Sequence, residues 1–196
     1  MQTNNAFITG RKIIWMKSYL LGVWNTLDPL YYSFSRLKYV KDLEKNRTLF
    51  RVRLTRYKGR STVLKDGTVI HKNDLLLKIH LHNVKIMNEL YAVTSDTRRA
   101  VYIYHMVKRA MPMLAKYVKN HDRYNDIKGI IGITSLHKGS KRLGFDNITI
   151  PNPVYRTYKQ MTFTPINYIA SSSRHEEPMY LFMSKDELVN RYGLED

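Results

Sequence analysis

Three side chains near the middle of the chain could do acid–base or binding chemistry: Lys78, His80 and His82. Their spacing places all three on one face of a predicted strand over residues 75–82. Either histidine could donate a hydrogen bond or act as a general base. No third zinc ligand stands at a readable spacing, and Lys78 would repel a cation, so no metal is expected. We interpret this face, with Asn83 at the strand end, as a polar site wall; a purely structural role is the alternative.

A second candidate site follows the apolar run 127–134, which is typical of a strand buried on both faces. A short helix is predicted over 136–143, and ligands of α/β sheets tend to bind beyond the C-terminal ends of strands. The polar groups at this junction could hold a phosphate or carboxylate, and its histidine is a further catalytic candidate. The alternative is a helix cap followed by surface lysines. The residues concerned are Thr134, Ser135, His137 and Lys138.

A basic strip along the predicted strand 48–57 includes Arg51, Arg53 and Arg56. Nucleic acid would use such a strip, but no helix-turn-helix, zinc-finger, RNP or GXXG signature accompanies it. Anionic lipid headgroups are the preferred partner, because the strip follows an aromatic N-terminal segment. A solvated charged face is the alternative interpretation.

The composition agrees with an anionic partner. The chain has 196 residues and a formal net charge of +17, and the first 60 residues hold 13 of the 33 basic but only 3 of the 16 acidic residues. A hydrophobic content of 43% is enough for one full core. The absence of cysteine excludes disulfides and thiolate chemistry. A cytoplasmic protein is expected.

The N-terminal segment is predicted to form an amphipathic helix over residues 11–26. It is too short and too interrupted to span a bilayer, and no signal-peptide cleavage site follows it. Tryptophan and lysine suit a helix that lies in a membrane interface, so we expect peripheral attachment at the cytoplasmic membrane face; packing on its own domain is the alternative. The expected membrane-facing residues are Arg11, Lys12, Trp15, Lys17 and Trp24.

The elements that must position these side chains give an α+β fold: a mixed, mostly antiparallel sheet flanked by helices. A helical segment, residues 1–46, precedes the α+β domain, residues 47–196. Strands are predicted over 48–57, 61–65, 68–71, 75–82, 127–134, 147–150, 158–163 and 178–183, and helices over 96–118, 136–143 and 185–192.

This order of elements, with Leu143-Gly144-Phe145 after a short helix, resembles the GCN5-related N-acetyltransferase fold. That resemblance implies a glycine-rich turn before the long helix that would hold the pyrophosphate of acetyl-CoA. Here the junction Val93 to Ala100 has no glycine, so no cofactor is expected. Arg98 and Arg99 in the first helical turn could still meet an anion.

A second resemblance covers almost the whole chain. The segments Leu27 to Tyr31, Phe50 to Arg53, Lys78 to Asn83, Gly129 to Phe145 and Tyr180 to Asp186 are similar to the YkoP family. Such domains occur alone or fused behind a polysaccharide deacetylase domain, which implies a role in cell-envelope glycan or glycolipid metabolism. The resemblance supplies no catalytic residues.

The leading hypothesis is therefore a membrane-surface accessory protein of envelope glycan or glycolipid metabolism. Its expected partner is an anionic lipid or a lipid-linked glycan, and envelope-biosynthesis enzymes are further candidate partners. The second hypothesis is an acyltransferase-like enzyme with a non-standard cofactor site around His80, His82 and Thr134. Nucleic-acid binding ranks third.

Overall fold

The computed structural model describes residues 36–193 except 91, 92, 94, 136, 138 and 171–176, together with Gly22 and Thr26. The side chains of residues 163–170 are not described. Apart from Gly22 and Thr26, the predicted amphipathic helix lies outside the described residues, as do all of its expected membrane-facing residues: Arg11, Lys12, Trp15, Lys17 and Trp24.

The described residues form eight strands: β1 Lys38–Lys41, β2 Arg47–Arg56, β3 Thr62–Val63, β4 Val69–Ile70, β5 Leu75–Leu81, β6 Ile127–Thr134, β7 Asp146–Thr149 and β8 Met179–Ser184. Six of them form one sheet, in the order β1-β2-β5-β6-β8-β7. Only the β5–β6 pair of this sheet is parallel, so the predicted mixed, mostly antiparallel sheet is confirmed. The first strand precedes residue 47, in the stretch assigned to the N-terminal segment.

Four α-helices complete the described part of the chain, which confirms the α+β class. Two of them, α1 and α2, connect the parallel strands β5 and β6, as a parallel crossover requires. The helices are α1 Asn83–Leu90, α2 Asp96–Lys119, α3 Pro153–Ala170 and α4 Lys185–Tyr192, with a 3₁₀ turn at Ser140–Leu143.

The sheet has two faces, and the main core lies between one of them, which we call the first face, and α2. Phe50, Val52 and Leu77 of the sheet and Met111 and Leu114 of α2 have no exposed surface, and they belong to one cluster. Alternation along each strand sends the neighbouring residues to the second face. The fold therefore leaves every other residue of β2 and β5 available for a site.

The second face is apolar only at one end. There the β3–β4 hairpin covers a small cluster that contains Leu76, Ile131 and Phe182. The hairpin turns at Asp66-Gly67, as predicted, with Gly67 at φ 82°. Beyond this cluster the second face carries the candidate site.

Side-chain caps define two helices where the sequence predicts them. Ser95 caps α2, and its hydroxyl accepts a hydrogen bond from the backbone N–H of Arg98. Ser184 caps α4 in the same way, by accepting from Glu187 N–H at 2.9 Å. Both predictions of these helices are confirmed.

Two other predictions are wrong. The residues predicted as a strand over 158–163 belong to α3, and the helix predicted over 136–143 is a single 3₁₀ turn that begins only at Ser140. Gly139 explains the late start, because its φ of 83° interrupts a right-handed helix. A Cβ at this glycine would lie 3.3 Å from the Tyr104 ring of α2. The sequence also gave no prediction of α1.

Candidate anion-binding site

Four basic side chains come together on the second face of the sheet because of the β2–β5 register. Arg51 lies opposite His80, and Arg53 lies opposite Lys78. Residues directly opposite each other in an antiparallel pair project to the same face. The register thus converts the alternating sequences of two strands into one cluster, which we call the basic site.

Tyr39 of β1 fixes one edge of the basic site. It lies opposite Arg51, and the Arg51 guanidinium donates a hydrogen bond to its hydroxyl. The guanidinium carbons of Arg47 and Arg51 lie 4.7 Å and 4.8 Å from the centre of the tyrosine ring, and the His82 ring packs edge-on at 5.6 Å. Cation–π contacts of this kind contribute about 0.5–2 kcal/mol each. These contacts hold Arg51 in place. The residue is buried, with 3% of its surface exposed.

Lys159 of α3 adds a further cation. Burial, followed by the positive charges of Lys159 and Arg53, lowers the pKa of Lys78 to about 8. Burial and Arg53 also lower the pKa of Lys159. The charged groups that act on these two lysines are all cations, so each disfavours the charged form of the others.

The pKa of His80 is lowered further from its ordinary value than that of Lys78. Burial, and then the charges of Lys78, Arg53 and Lys159, lower the pKa of His80 to about 3. The imidazole is therefore neutral at physiological pH. Its Nε2 atom is buried and has no hydrogen-bond partner among the described residues. A neutral imidazole here can donate to a ligand or accept from one, depending on its tautomer.

The sheet opens beside the basic site. Strands β5 and β6 pair from Leu75 and Ile127 as far as Lys78 and Ile131. Both strands then continue for three residues, all of them described, without pairing to each other. The opening therefore begins at Lys78.

These features favour the binding of an anion. Arg51 is buried, Lys78 and Lys159 are partly buried, and Arg53 is exposed. Bringing these cations together is unfavourable unless negative charge compensates them. A phosphate or carboxylate would supply that charge and would accept the hydrogen bonds that arginine and lysine donate. A lysine with a pKa near 8 can also act as a general base, which keeps acid–base chemistry open to this site.

The second predicted site, after β6, does not form as expected. Among the residues described at this junction, which are 134, 135, 137 and 139–143, no α-helix begins, and a 3₁₀ turn starts only at Ser140. Ser135 is buried, and the carbonyl oxygen of His137 accepts hydrogen bonds from Ser140. Alternation along β6 places Thr134 on the face opposite to Lys78 and His80. Lys138 lies outside the described residues.

The remaining candidates are dispersed. Asn83 begins α1 instead of ending the strand. Arg98 is exposed, whereas Arg99 is buried and donates to the carbonyl oxygen of Val93 at 2.6 Å. Arg56 is exposed and donates to the carbonyl oxygen of Asn73. None of these three arginines appears among the groups that act on Lys78 or His80.

Sequence reasoning missed Tyr39 and Lys159. For Tyr39 a signal exists, since Leu37 and Val40 are buried apolar residues in a short β-prone run. For Lys159 no sequence signal exists, because its place depends on how α3 packs against the sheet.

A separate surface cavity of about 530 Å³ lies between β1 and the C-terminal end of α2. Its lining mixes both signs of charge, with Lys41 and Lys116 beside Asp42 and Asp122. This balance gives it less selectivity for an anion than the basic site has.

Two other kinds of site are absent from the described ranges. No helix among those residues is long and apolar enough to cross a membrane. No group of three or more histidine, cysteine, aspartate or glutamate side chains is arranged there as a metal site requires.

Comparison with known proteins identifies the family. The model of the YkoP domain matches residues 17–192. The chain is 48% identical over 185 residues to a protein of Bacillus subtilis (strain 168) named "Uncharacterized protein YkoP", and the alignment covers 92% of this chain and 100% of that relative. No solved structure matches. The chain belongs to the YkoP domain family.

Proposed function

We propose that this protein binds a phosphate- or carboxylate-bearing ligand at the basic site, as an accessory protein of cell-envelope glycan or glycolipid metabolism at the cytoplasmic membrane face. The observation that carries the proposal is the clustering of Arg51, Arg53, Lys78 and Lys159, in which burial and then the charges of Lys159 and Arg53 lower the pKa of Lys78 to about 8. A bound anion would offset the repulsion between the cations and would stabilise the charged form of the buried lysine.

The envelope part of the proposal has a different support. It rests on the similarity of YkoP domains to those that occur behind polysaccharide deacetylase domains. Glycan precursors and anionic lipids of the envelope carry phosphate, which is the chemistry that a cluster of arginine and lysine recognises.

Calorimetric titration of the full chain with inorganic phosphate, pyrophosphate and acetate at low salt tests the proposal. Lys78→Met and Lys159→Met should each weaken binding by about tenfold or more, because each removes a charge-assisted hydrogen bond worth about 1.5–3 kcal/mol. Lys128→Met is the matched control, since Lys128 is an exposed strand lysine. Equal affinities of all three variants, or no heat from the unmodified chain with any of the anions, would refute anion binding at this site.

An acyltransferase-like enzyme is the second candidate, and the opening between β5 and β6 favours it. The candidate also rests on the order of elements, which resembles the acetyltransferase fold. Lys78 and His80 lie at this opening on the second face of the sheet, whereas Thr134 lies on the first face. Calorimetry with acetyl-CoA decides: binding that pyrophosphate alone does not reproduce supports the enzyme, and the absence of binding removes it.

A further inference from the structure

The described part of helix α3 departs from the usual arrangement of faces. A surface helix normally turns its apolar stripe inward and its charges outward. Among residues 153–162, whose side chains are described, the partly buried positions are Tyr155, Arg156 and Lys159. Three large apolar residues are exposed, Val154, Tyr158 and Met161, at 78%, 57% and 69%, together with the smaller or polar Pro153, Thr157, Gln160 and Thr162.

The basic site fixes this orientation. Lys159 acts on Lys78 and His80 electrostatically, and its ammonium group lies 5.4 Å from the centres of the Tyr155 and Tyr158 rings. The guanidinium of Arg156 lies 3.6 Å from Glu177. Rotation of the helix to bury the apolar stripe would withdraw Lys159 from the site.

The exposed apolar residues form a continuous stripe. Val154, Tyr158 and Met161 follow the i, i+4, i+7 spacing that lines one side of a helix, over roughly 10 Å of its length. Single exposed apolar residues are common on any surface. A stripe directly beside a cluster of cations is instead the composition of a helix that lies in a membrane interface.

We infer that α3 docks on an anionic lipid bilayer, with this stripe in the headgroup–acyl boundary and the basic site facing the headgroup phosphates. Charge selects this occupant. A second copy of the chain carries the same net charge of +17, and residues 1–35 hold three basic residues against one acidic residue, so neither brings the negative charge that would compensate the basic site. Anionic headgroups attract it, at about 1 kcal/mol for each basic residue near the surface. The inference rests on the proposed function, because the headgroup is then one form of the bound anion.

The absence of cysteine from the chain allows a direct test. Met161→Cys in the full chain is labelled with an environment-sensitive fluorophore. Val63→Cys, at the equally exposed Val63 (68%) on β3, is the matched control. Vesicles of phosphatidylglycerol and phosphatidylcholine should shift the emission of the label at position 161 to shorter wavelength and leave the label at 63 unchanged. Vesicles of phosphatidylcholine alone should shift neither label.

A second measurement uses unlabelled protein. Replacing the two apolar residues that do not touch Lys159, by Val154→Ser and Met161→Gln together, should lower vesicle affinity by roughly tenfold and leave phosphate binding unchanged. Vesicle binding with an unshifted label at 161 overturns the inference, and so does a label already shifted without vesicles. If the protein ignores anionic vesicles, the inference also fails, and phosphate calorimetry on the same sample shows whether the proposed function fails with it.

Discussion

The positive charge of Lys78 lowers the stability of the folded protein. Its pKa is about 8 in the folded protein, below the ordinary value of 10.5, because of burial and the charges of Lys159 and Arg53. Protons therefore bind the unfolded chain more strongly at this residue between pH 8 and 10.5. The destabilisation is complete below pH 8 and is relieved as the pH rises through that window.

Lys78→Met should accordingly stabilise the protein. At pH 7 the free energy of unfolding should rise by about 1–3 kcal/mol, since each pKa unit corresponds to about 1.4 kcal/mol and partial exposure reduces the effect. The gain should shrink at pH 10. Urea denaturation at both pH values measures it, with Lys128→Met as the control. A variant that is less stable than the unmodified chain at pH 7 would show that Lys78 is a structural residue.

At the scale of elements, strand β6 contains two glycines, Gly129 and Gly132, whose surroundings differ. A Cβ at Gly129 would lie 2.5 Å from the carbonyl oxygen of Met183 in β8, whereas one at Gly132 would lie 3.3 Å from the flexible Ile79 side chain. Gly129→Ala should therefore cost more than about 3 kcal/mol, and Gly132→Ala less than about 1 kcal/mol. Thermal unfolding of the two variants checks this, and similar costs would mean that β6 and β8 are not so closely paired.

Local chemistry made some elements predictable. The Asp66-Gly67 turn and the Ser184 cap each specify their structure within a few residues, and alternation along β5 correctly placed Lys78 and His80 on one face. Helix α1 was missed although Val84, Met87 and Leu90, three residues apart, are buried along it.

The errors have a different origin. Helix α3 was mistaken for a strand because its periodicity does not report burial. Among its described side chains, the charged Arg156 and Lys159 are partly buried, while the apolar Val154 and Met161 are exposed. The basic site combines three strands and α3. The register of β1 and β2 shows that Tyr39 belongs to it, and the position of α3 brings Lys159 close enough to act on Lys78 and His80. No local pattern contains that information.

On the scale of the whole molecule, a net charge of +17 makes the folded state sensitive to salt. Mutual repulsion should lower the melting temperature at low ionic strength, and sodium chloride should raise it by screening. Phosphate at the same ionic strength should raise it by roughly 2–4 °C more, because a ligand that binds only the folded state stabilises it.

The Lys78→Met variant separates site binding from the general effect of phosphate on protein hydration, which acts on both proteins alike. In the variant, the difference between phosphate and chloride should become smaller. Scanning calorimetry in matched buffers measures the melting temperatures. The same difference in both proteins would place the bound phosphate elsewhere on the surface.

The short contact between β5 and β6 has a consequence for how the chain folds. It joins two antiparallel halves, β1-β2-β5 and β6-β8-β7, across a connection that contains α1 and α2. Contacts within β1-β2-β5 close shorter loops than this seam does, whereas β6 and β8 pair across loops about as long as that of the seam. Loop closure governs the order in which contacts form, so we expect β1-β2-β5 to assemble first. Because the seam joins the two halves through only four residue pairs, we expect the native sheet to separate there first, at the edge where Lys78 lies.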